Sequence, residues 1–266
     1  MIRRYVRSVG GKVRRKAIFK GPNASAKPGA RAIGDGEEPF DRAEDVIDRI
    51  CATLANAITE GALKPGTKIL DDAIADHYGV SRTVVRGALD ILQRDHLLER
   101  KRNRGAFVAE PSIKEAKQLF EARHALERVI LTFVVKRASD EGLDRLEALN
   151  EEESRHSESA EAGNKPGKAS QFHVELAKLG DNDLLTEVLV KTLARVALVN
   201  ALYAVEPRDN CGDHRNIIAA LRRRDLDAAQ EHMEEHLTEL EGRLLLTPNH
   251  GDRQSFVNML ERFSAE

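Results

Sequence analysis

Apolar residues recur every three or four positions over most of the chain, which is the spacing of one face of a helix. The first such segment covers residues 41–60 and stops at Gly61, so it predicts one long helix. Pro65 and Gly66 then favour a turn, and residues 69–70 follow as a short strand or as the entry to the next helix.

Two short helices separated by a glycine turn are predicted next. The first covers residues 72–78, where Asp71 and Asp72 can cap its start and a glycine ends it. Ser81 can cap the second helix, which runs to about Asp95. This order of elements predicts a helix-turn-helix.

The stretch LLERKRNRGAFVAE has two β-prone parts around a basic Asn-Arg-Gly tip, and it predicts a hairpin that forms a wing. After Pro111 the pattern becomes helical again, with Ser112 and Glu115 spaced as a capping box. From Ile113 to about Leu246 no strand pattern interrupts the helices. These helices are predicted at about 113–138, 140–160, 168–180, 182–204, 212–223 and 225–246.

Together these elements predict a mainly α fold with two domains. An N-terminal winged helix-turn-helix covers residues 41–110, and an all-helical bundle covers residues 113–246. A basic flexible arm at 1–40 precedes them, and a C-terminal extension at 247–266 ends in a weak amphipathic helix. A chain of 266 residues is long enough to bury two cores.

The composition indicates a soluble and largely helical protein, with 41% hydrophobic residues, 32% charged residues and no Trp. No apolar run reaches the length of a membrane span, so no membrane partner is expected. Cys51 and Cys211 are too few for a disulfide framework, and a reducing, cytoplasmic setting is therefore expected.

Basic charge is concentrated at the start of the chain, since residues 1–34 carry ten Lys or Arg and no Asp or Glu. The remaining residues include 32 basic against 44 acidic side chains. Such an arm can contact the phosphate backbone of DNA. Two other interpretations stay open: a mitochondrial transit peptide, which has a similar composition, and a solvated tail without function.

The second short helix carries side chains suited to reading DNA. Arg82 and Arg86 lie four residues apart on one face, and a guanidinium can donate two hydrogen bonds to guanine O6 and N7, which discriminates between bases by about 1–3 kcal/mol. The hydroxyls of Ser81 and Thr83 can bond phosphate or base edges. The wing adds candidate contacts to phosphate or to the minor groove: Lys101, Arg102, Arg104 and Gly105.

The segments ITEGALKPGTKIL, LDDAIADHYGVSRTVVRGALDILQRDHLLER and RGAFVAE resemble the winged helix-turn-helix of the GntR family of regulators, over about residues 42–109. The DNA contacts that this resemblance implies are Arg82, Thr83, Arg86 and Gly105. Two positions differ from the common form, because Val84 stands where proline is usual and Gly87 stands where glutamate is usual. Gly87 is expected to weaken its helix by about 1 kcal/mol relative to Ala.

The helical half resembles the FCD subgroup of the same family, named for the effector domain of a fatty-acid-responsive member. The resemblance lies in EARHALER, QFHVELAKLGDNDLL, DHRNIIAALRRRDLDAA and HMEEHL. It implies that His173, His214 and His236 bind a divalent metal, with Zn as the first candidate and Ni or Mn as alternatives. The family's usual fourth ligand, an aspartate, is Ala169 here, so one carboxylate ligand is missing.

An acidic effector is implied by the same resemblance, because the subgroup's usual effectors are carboxylic and sugar acids. Arg123 is the candidate to pair with the effector's carboxylate, since its planar fork suits bidentate recognition. Arg195, Asn200 and Tyr203 could line the same pocket, although a surface or packing role is the ordinary one for each of these residues.

The expected function is a DNA-binding transcription regulator, a homodimeric repressor whose binding to a palindromic operator is controlled by a small acidic metabolite. The effector either releases the protein from DNA, which is the commoner behaviour that the resemblance implies, or promotes binding. Three histidines with open coordination are also the ligand set of zinc hydrolases, but no HExxH, GxSxG or phosphate-binding loop accompanies them, so no enzyme is expected. A second alternative keeps the DNA-binding half and makes the helical half a dimerisation module without a ligand.

Overall fold

The computed structural model describes residues 39–157, 167–204 and 214–246, with side chains over 44–152, 170–204 and 214–246. It confirms the mainly α fold, in which a winged helix-turn-helix is followed by a helical bundle. The predicted basic arm, apart from its last two residues, and the predicted C-terminal extension lie outside the described residues. No helix in the described part of the chain is long and apolar enough to cross a membrane.

The N-terminal half has three helices and a hairpin: α1 (Pro39–Thr59), α2 (Asp71–Tyr78), α3 (Arg82–Arg94), β1 (Leu98–Lys101) and β2 (Gly105–Val108). The two strands pair antiparallel, with Leu98 opposite Val108. The segment before α2 pairs with the other edge of β2, since Ile69 N–H donates to the Ala106 carbonyl and Val108 N–H donates to the Thr67 carbonyl. The second strand of the wing therefore lies between β1 and the segment that leads into α2.

Local sequence signals set the ends of the short helices. Gly79 has a left-handed backbone with φ +63°, and α2 ends there as predicted. The Ser81 side chain accepts a hydrogen bond from the backbone N–H three residues later, which confirms it as the N-cap of α3. The predicted caps of α2 are wrong, because the helix begins one residue earlier than expected. Its N-cap is Leu70, and Asp71 and Asp72 lie in the first turn, where their charge complements the helix dipole.

The C-terminal half contains six helices in its described part: α4 (Ile113–Arg137), α5 (Asp140–Ser157), α6 (Gly167–Leu179), α7 (Asp183–Tyr203), α8 (Arg215–Arg222) and α9 (Leu226–Gly242). The predicted capping box starts α4, since Ser112 Oγ accepts from Glu115 N–H and the Glu115 carboxylate accepts from Ser112 N–H. Aliphatic side chains from all six helices form one buried core.

Helix α7 contributes to the cores of both halves. Leu193 belongs to the bundle core, whereas Ala194 and Leu198 pack into the core of the winged helix-turn-helix. Lys191 on the same helix forms an ion pair with Asp95, the residue that caps the end of α3. The winged helix-turn-helix therefore packs directly on a helix of the bundle.

Candidate functional site

Three histidines from three parts of the bundle meet in its interior. His173 lies on α6, His214 precedes α8 as its N-cap, and His236 lies on α9; all three are buried. Nε2 of His236 lies 3.3 Å from Nε2 of His214 and 3.3 Å from Nε2 of His173. One ligand nitrogen from each ring lies within 4.8 Å of the other two. The structure thus brings together the three residues that the sequence singled out as metal ligands.

Hydrogen-bond partners behind two of the rings direct lone pairs into this cluster. Nδ1 of His173 lies 2.6 Å from Glu127 Oε2, and Nδ1 of His214 lies 3.1 Å from Asn150 Oδ1. Because both oxygens are acceptors, we assign the proton of each ring to Nδ1, which leaves Nε2 unprotonated. Two Nε2 lone pairs therefore point toward the third ring.

Burial keeps the three imidazoles neutral. Desolvation, together with the charges of His173 and Arg123, lowers the pKa of His236 from 6.5 to about 3. Desolvation also lowers the pKa of His173, against the opposing effect of Glu127, and lowers the pKa of His214 well below 6.5. At neutral pH all three rings are thus in the form that binds a metal.

The donor set fits a divalent metal such as zinc. Zinc binds imidazole nitrogen at about 2.0–2.1 Å, and tetrahedral geometry then separates two such nitrogens by about 3.3–3.4 Å. The distances from His236 Nε2 to Nε2 of His214 and of His173, 3.3 Å each, match this value. Three imidazoles would hold the ion and leave a position for water or a ligand oxygen. Ala169 lies on α6, one turn before His173, and its side chain is outside the described residues.

Arg123 is paired inside the bundle. Its Nε donates to Glu127 Oε1 at 2.6 Å, and the two residues are only 4% and 1% exposed. Burial by itself would raise the pKa of Glu127, but the charges and hydrogen bonds of His173 and Arg123 outweigh it and hold that pKa well below 4.5. Arg123, the ionised Glu127 and His173 therefore form one continuous buried array.

The other three candidate effector residues do not join this array through any contact described for them. Tyr203 donates its hydroxyl hydrogen to the Pro111 carbonyl at 2.8 Å, and Asn200 is exposed. Arg195 is half-buried, and its charge acts on Glu115 at the start of α4. The interactions of Tyr203 and Arg195 are thus with the N-terminal end of α4, about two helical turns before Arg123.

An open groove of about 490 Å³ lies between α4 and α9. Its lining includes the charged residues Glu121, Arg128, Glu234 and Glu241, and it also includes His124. Nδ1 of His124 lies 2.9 Å from Glu234 Oε2, but it is buried and makes no hydrogen bond in the described structure. Three carboxylates against one arginine repel an anion, and this groove does not suit the acidic effector expected from the sequence.

The candidate DNA contacts are exposed at both predicted locations, the N-terminal part of α3 and the wing: Ser81, Arg82, Thr83, Arg86, Arg102, Arg104 and Gly105. The buried side of α3 consists of Val85, Ala88, Leu89 and Leu92. Arg82 forms an exposed ion pair with Asp72 of α2, with Nε 2.7 Å from Oδ1. The polar side of the helix is therefore turned away from the core.

The basic residues of the wing differ in their surroundings. Lys101 is half-buried and forms ion pairs with Glu99 at 2.7 Å and with Glu110 at 3.3 Å. The side-chain hydrogen bond to Glu99 is the main reason that the pKa of Lys101 is raised above 10.5. Arg102 and Arg104 are exposed at the turn, so they are better placed than Lys101 to meet a phosphate.

Sequence reasoning assigned no role to Glu127 or Asn150, the two residues that contact the histidine cluster from outside. The spacing of Arg123 and Glu127, four apart in EARHALER, is a signal for an ion pair on one helix face and could have indicated the first. Asn150 lies 64 residues before His214, and no local pattern marks it.

Two family models match most of the described chain. The model for bacterial regulatory proteins of the gntR family matches residues 46–108, and the FCD domain model matches residues 118–239. The Uxu operon transcriptional regulator of Escherichia coli is 27% identical, over 79% of this chain and 91% of that protein. The galactonate operon transcriptional repressor of the same species is 24% identical, over 69% of this chain and 90% of that protein.

Two solved structures share the fold. E. coli McbR/YncC has a TM-score of 0.66 at 20% identity and covers 73% of this chain and 94% of its own. A GntR structure from Rhodococcus sp. RHA1 has a TM-score of 0.63 at 23% identity and covers 77% and 98%. Both family models and the similarity to curated regulators show that this chain belongs to the GntR family of bacterial transcription regulators, in its FCD subgroup. It is a DNA-binding protein rather than an enzyme.

Proposed function

We propose that this regulator is a cytoplasmic homodimer that represses from a palindromic operator, and that a small acidic metabolite and a divalent metal in the FCD domain control its binding to DNA. The observation that carries the metal part is the convergence of Nε2 atoms from His173, His214 and His236. Zinc is the first candidate because of the tetrahedral spacing, with nickel or manganese as alternatives.

An acidic effector suits this cluster electrostatically. A divalent ion held by three neutral imidazoles keeps its full positive charge, so a carboxylate oxygen is a favourable further ligand. Arg123 adds a second cationic group, whose guanidinium has four N–H donors besides the one that Glu127 accepts. The name of one relative refers to a galactonate operon, and galactonate is a sugar acid. We therefore propose a carboxylic or sugar acid as the effector.

For operator recognition, we assign base reading to Arg82, Thr83 and Arg86, and backbone contacts to Ser81, Arg102, Arg104 and Gly105. The support is their exposure, together with the burial of the opposite side of α3. The ion pair of Arg82 with Asp72 is exposed and screened by solvent, so DNA can replace it at small cost.

The dimer is supported by apolar residues on the outer side of α7. Leu184 and Val188 lie one turn apart and are 69% and 45% exposed. A second protomer would remove these side chains from water, and two-fold symmetry would match a palindromic operator.

The test of the metal proposal is zinc content and thermal stability after chelation and readdition. We expect wild type to take up one zinc per chain and to melt at a temperature that rises with free zinc, whereas His214→Ala should do neither. Ala169→Asp should retain zinc more tightly, because it restores a carboxylate. The control is His232→Ala, since His232 lies on α9 one turn from His236 and interacts with Glu235.

If wild type takes up no zinc, nickel or manganese, and all four proteins melt alike at every metal concentration, the cluster is not a metal site. The histidines would then contact the effector directly or serve packing alone.

A further inference from the structure

Glu127 stands behind one of the three imidazoles, outside the cluster itself. We propose that it is the positioning residue of the metal centre: its carboxylate fixes His173 with the proton on Nδ1, so that Nε2 offers its lone pair to the ion. This inference rests on the metal site proposed above. Glu127 belongs to α4 and lies 46 residues before His173, and the group of candidate ligands among the described residues consists of the three histidines.

Both oxygens of Glu127 are engaged, and both act as acceptors. Oε1 accepts from Arg123 Nε at 2.6 Å, and Oε2 lies 2.6 Å from His173 Nδ1. All three side chains are at least 95% buried, so water does not compete for these bonds. Hydrogen bonds of this length to an ionised carboxylate are strong and hold a fixed geometry.

The Glu127 carboxylate contacts His173 as well as its ion-pair partner Arg123. A buried ion pair by itself contributes little net stability, because both groups lose their hydration. Here the carboxylate also contacts an imidazole whose other nitrogen faces the candidate metal position. A carboxylate behind a ligating histidine fixes its tautomer and increases its basicity. The partner of His214 is the neutral Asn150 at 3.1 Å, so His173 should be the stronger donor of the two.

Replacing Glu127 by glutamine tests the tautomer directly. Glutamine has nearly the same shape, but it has one acceptor oxygen and one NH₂ donor. Because Arg123 Nε can only donate, it bonds to the amide oxygen of the new glutamine. The NH₂ group of that amide then faces Nδ1 of His173. That nitrogen must then accept, and the proton moves to Nε2, where it occupies the lone pair needed by the metal.

A second replacement separates orientation from loss of charge. In the double variant Arg123→Met, Glu127→Gln, no arginine claims the amide oxygen, and Met fills a similar volume. The amide can therefore turn its oxygen toward His173, which restores the proton to Nδ1 without restoring a negative charge. Because the double variant also removes the unpaired cation, it covers the case in which Glu127→Gln alone does not fold.

The experiment measures the tautomer of His173 by ¹⁵N NMR in metal-free full-length protein and the affinity for Zn²⁺ alone by competition with a chelating dye. We expect the Nδ1–H form in wild type and in the double variant, and the Nε2–H form in Glu127→Gln. Zinc affinity should fall about 10–100-fold in Glu127→Gln and recover at least in part in the double variant. Glu121→Gln, which removes one exposed carboxylate from the same helix α4, is the matched control for loss of charge.

The outcomes separate this inference from the metal proposal. Equal zinc affinity in wild type and Glu127→Gln, or an unchanged Nδ1–H tautomer in that variant, overturns the positioning role while the metal site stands. If wild type shows the Nδ1–H tautomer and yet takes up no zinc, the metal proposal is wrong. The positioning role of Glu127 toward zinc is then wrong as well.

Discussion

Lys191 of α7 forms an ion pair with Asp95, the C-cap of the recognition helix α3, with Nζ 3.1 Å from Oδ1. Ala194 and Leu198, further along the same face of α7, are buried in the core of the winged helix-turn-helix. The recognition helix thus contacts, at its C-terminal end, a helix that also belongs to the core of the bundle. A shift of α7 within the bundle would therefore change the position of α3.

The first prediction concerns this junction. Leu198→Ala should lower the free energy of unfolding by about 2–5 kcal/mol, because Leu198 is fully buried and its loss leaves a cavity. Lys191→Met should cost less than about 1 kcal/mol, as a partly exposed ion pair contributes little. Calorimetry should show one melting transition in wild type and a separated, earlier transition in Leu198→Ala. Leu202→Ala, at an exposed position one turn later, is the matched control.

A second prediction concerns base reading. Arg82→Ala and Arg86→Ala should each weaken binding to the operator by about 1–3 kcal/mol while changing binding to random DNA much less, because base contacts carry the specificity. Fluorescence anisotropy on both DNAs measures this. Arg94→Ala is the control, since Arg94 is exposed at the far end of α3. Equal losses on both DNAs would assign Arg82 and Arg86 to phosphates instead.

The third prediction concerns Gly87 in the middle of α3. A Cβ added there would lie 3.4 Å from Ile47 Cδ1, close to ordinary contact, so Gly87→Ala should stabilise the protein by about 0.5–1 kcal/mol. Gly79→Ala should act oppositely and cost about 1–2 kcal/mol, because its φ of +63° is strained for alanine although space is available. Denaturant midpoints of the two variants should move in opposite directions, and a shift in the same direction would contradict the argument.

The fourth prediction is a pH dependence of stability in chelated protein. Unfolded histidine binds a proton below about pH 6.5, whereas the buried His236, whose pKa is lowered to about 3, does not. The unfolded state therefore gains protons first as the pH falls. Stability should be constant above about pH 6.5 and should decrease from there toward pH 3, by about 1.4 kcal/mol per pH unit for this group. His173 and His214 act in the same direction. A flat profile between pH 6.5 and 5 would contradict the burial of neutral rings.

The last prediction concerns the basic arm. Deleting residues 1–38 should reduce affinity for DNA and flatten its dependence on salt, because ten positive charges can displace condensed counterions. Titrations at several salt concentrations give the slope of log K against log salt. A slope equal to that of the full chain would show that the arm makes no phosphate contacts.

Local patterns predicted most of the fold because each depends on neighbouring residues. Gly79 and the Ser112–Glu115 box fix helix ends through bonds that span a few positions, and the helical spacing of apolar residues gave the helices of the bundle. The hydrogen bond from Ile69 N–H to the Ala106 carbonyl could not be predicted in this way, since it joins residues 37 positions apart in the sequence.

The histidine cluster was recognised from three short motifs, but its partners were not. Glu127 contacts His173 across two helices, and Asn150 contacts His214 from α5, so both contacts arise from the angles at which helices pack. For the same reason, the sequence did not show that Arg123 Nε donates a hydrogen bond to Glu127, or that the Tyr203 hydroxyl donates one to the Pro111 carbonyl.

The burial of Ala194 and Leu198 in the core of the winged helix-turn-helix bears on how such regulators can be recombined. A fragment that ends at Pro111 would leave the side chains that cover Leu198 facing water, and it would be prone to aggregate. In a chimera that joins this DNA-binding half to another FCD domain, the other domain's helix would replace α7 against the core of the winged helix-turn-helix. Such a chimera should fold only if that helix has small and aliphatic residues where Ala194 and Leu198 stand. The unit of this protein that can be exchanged is therefore the winged helix-turn-helix together with one face of α7.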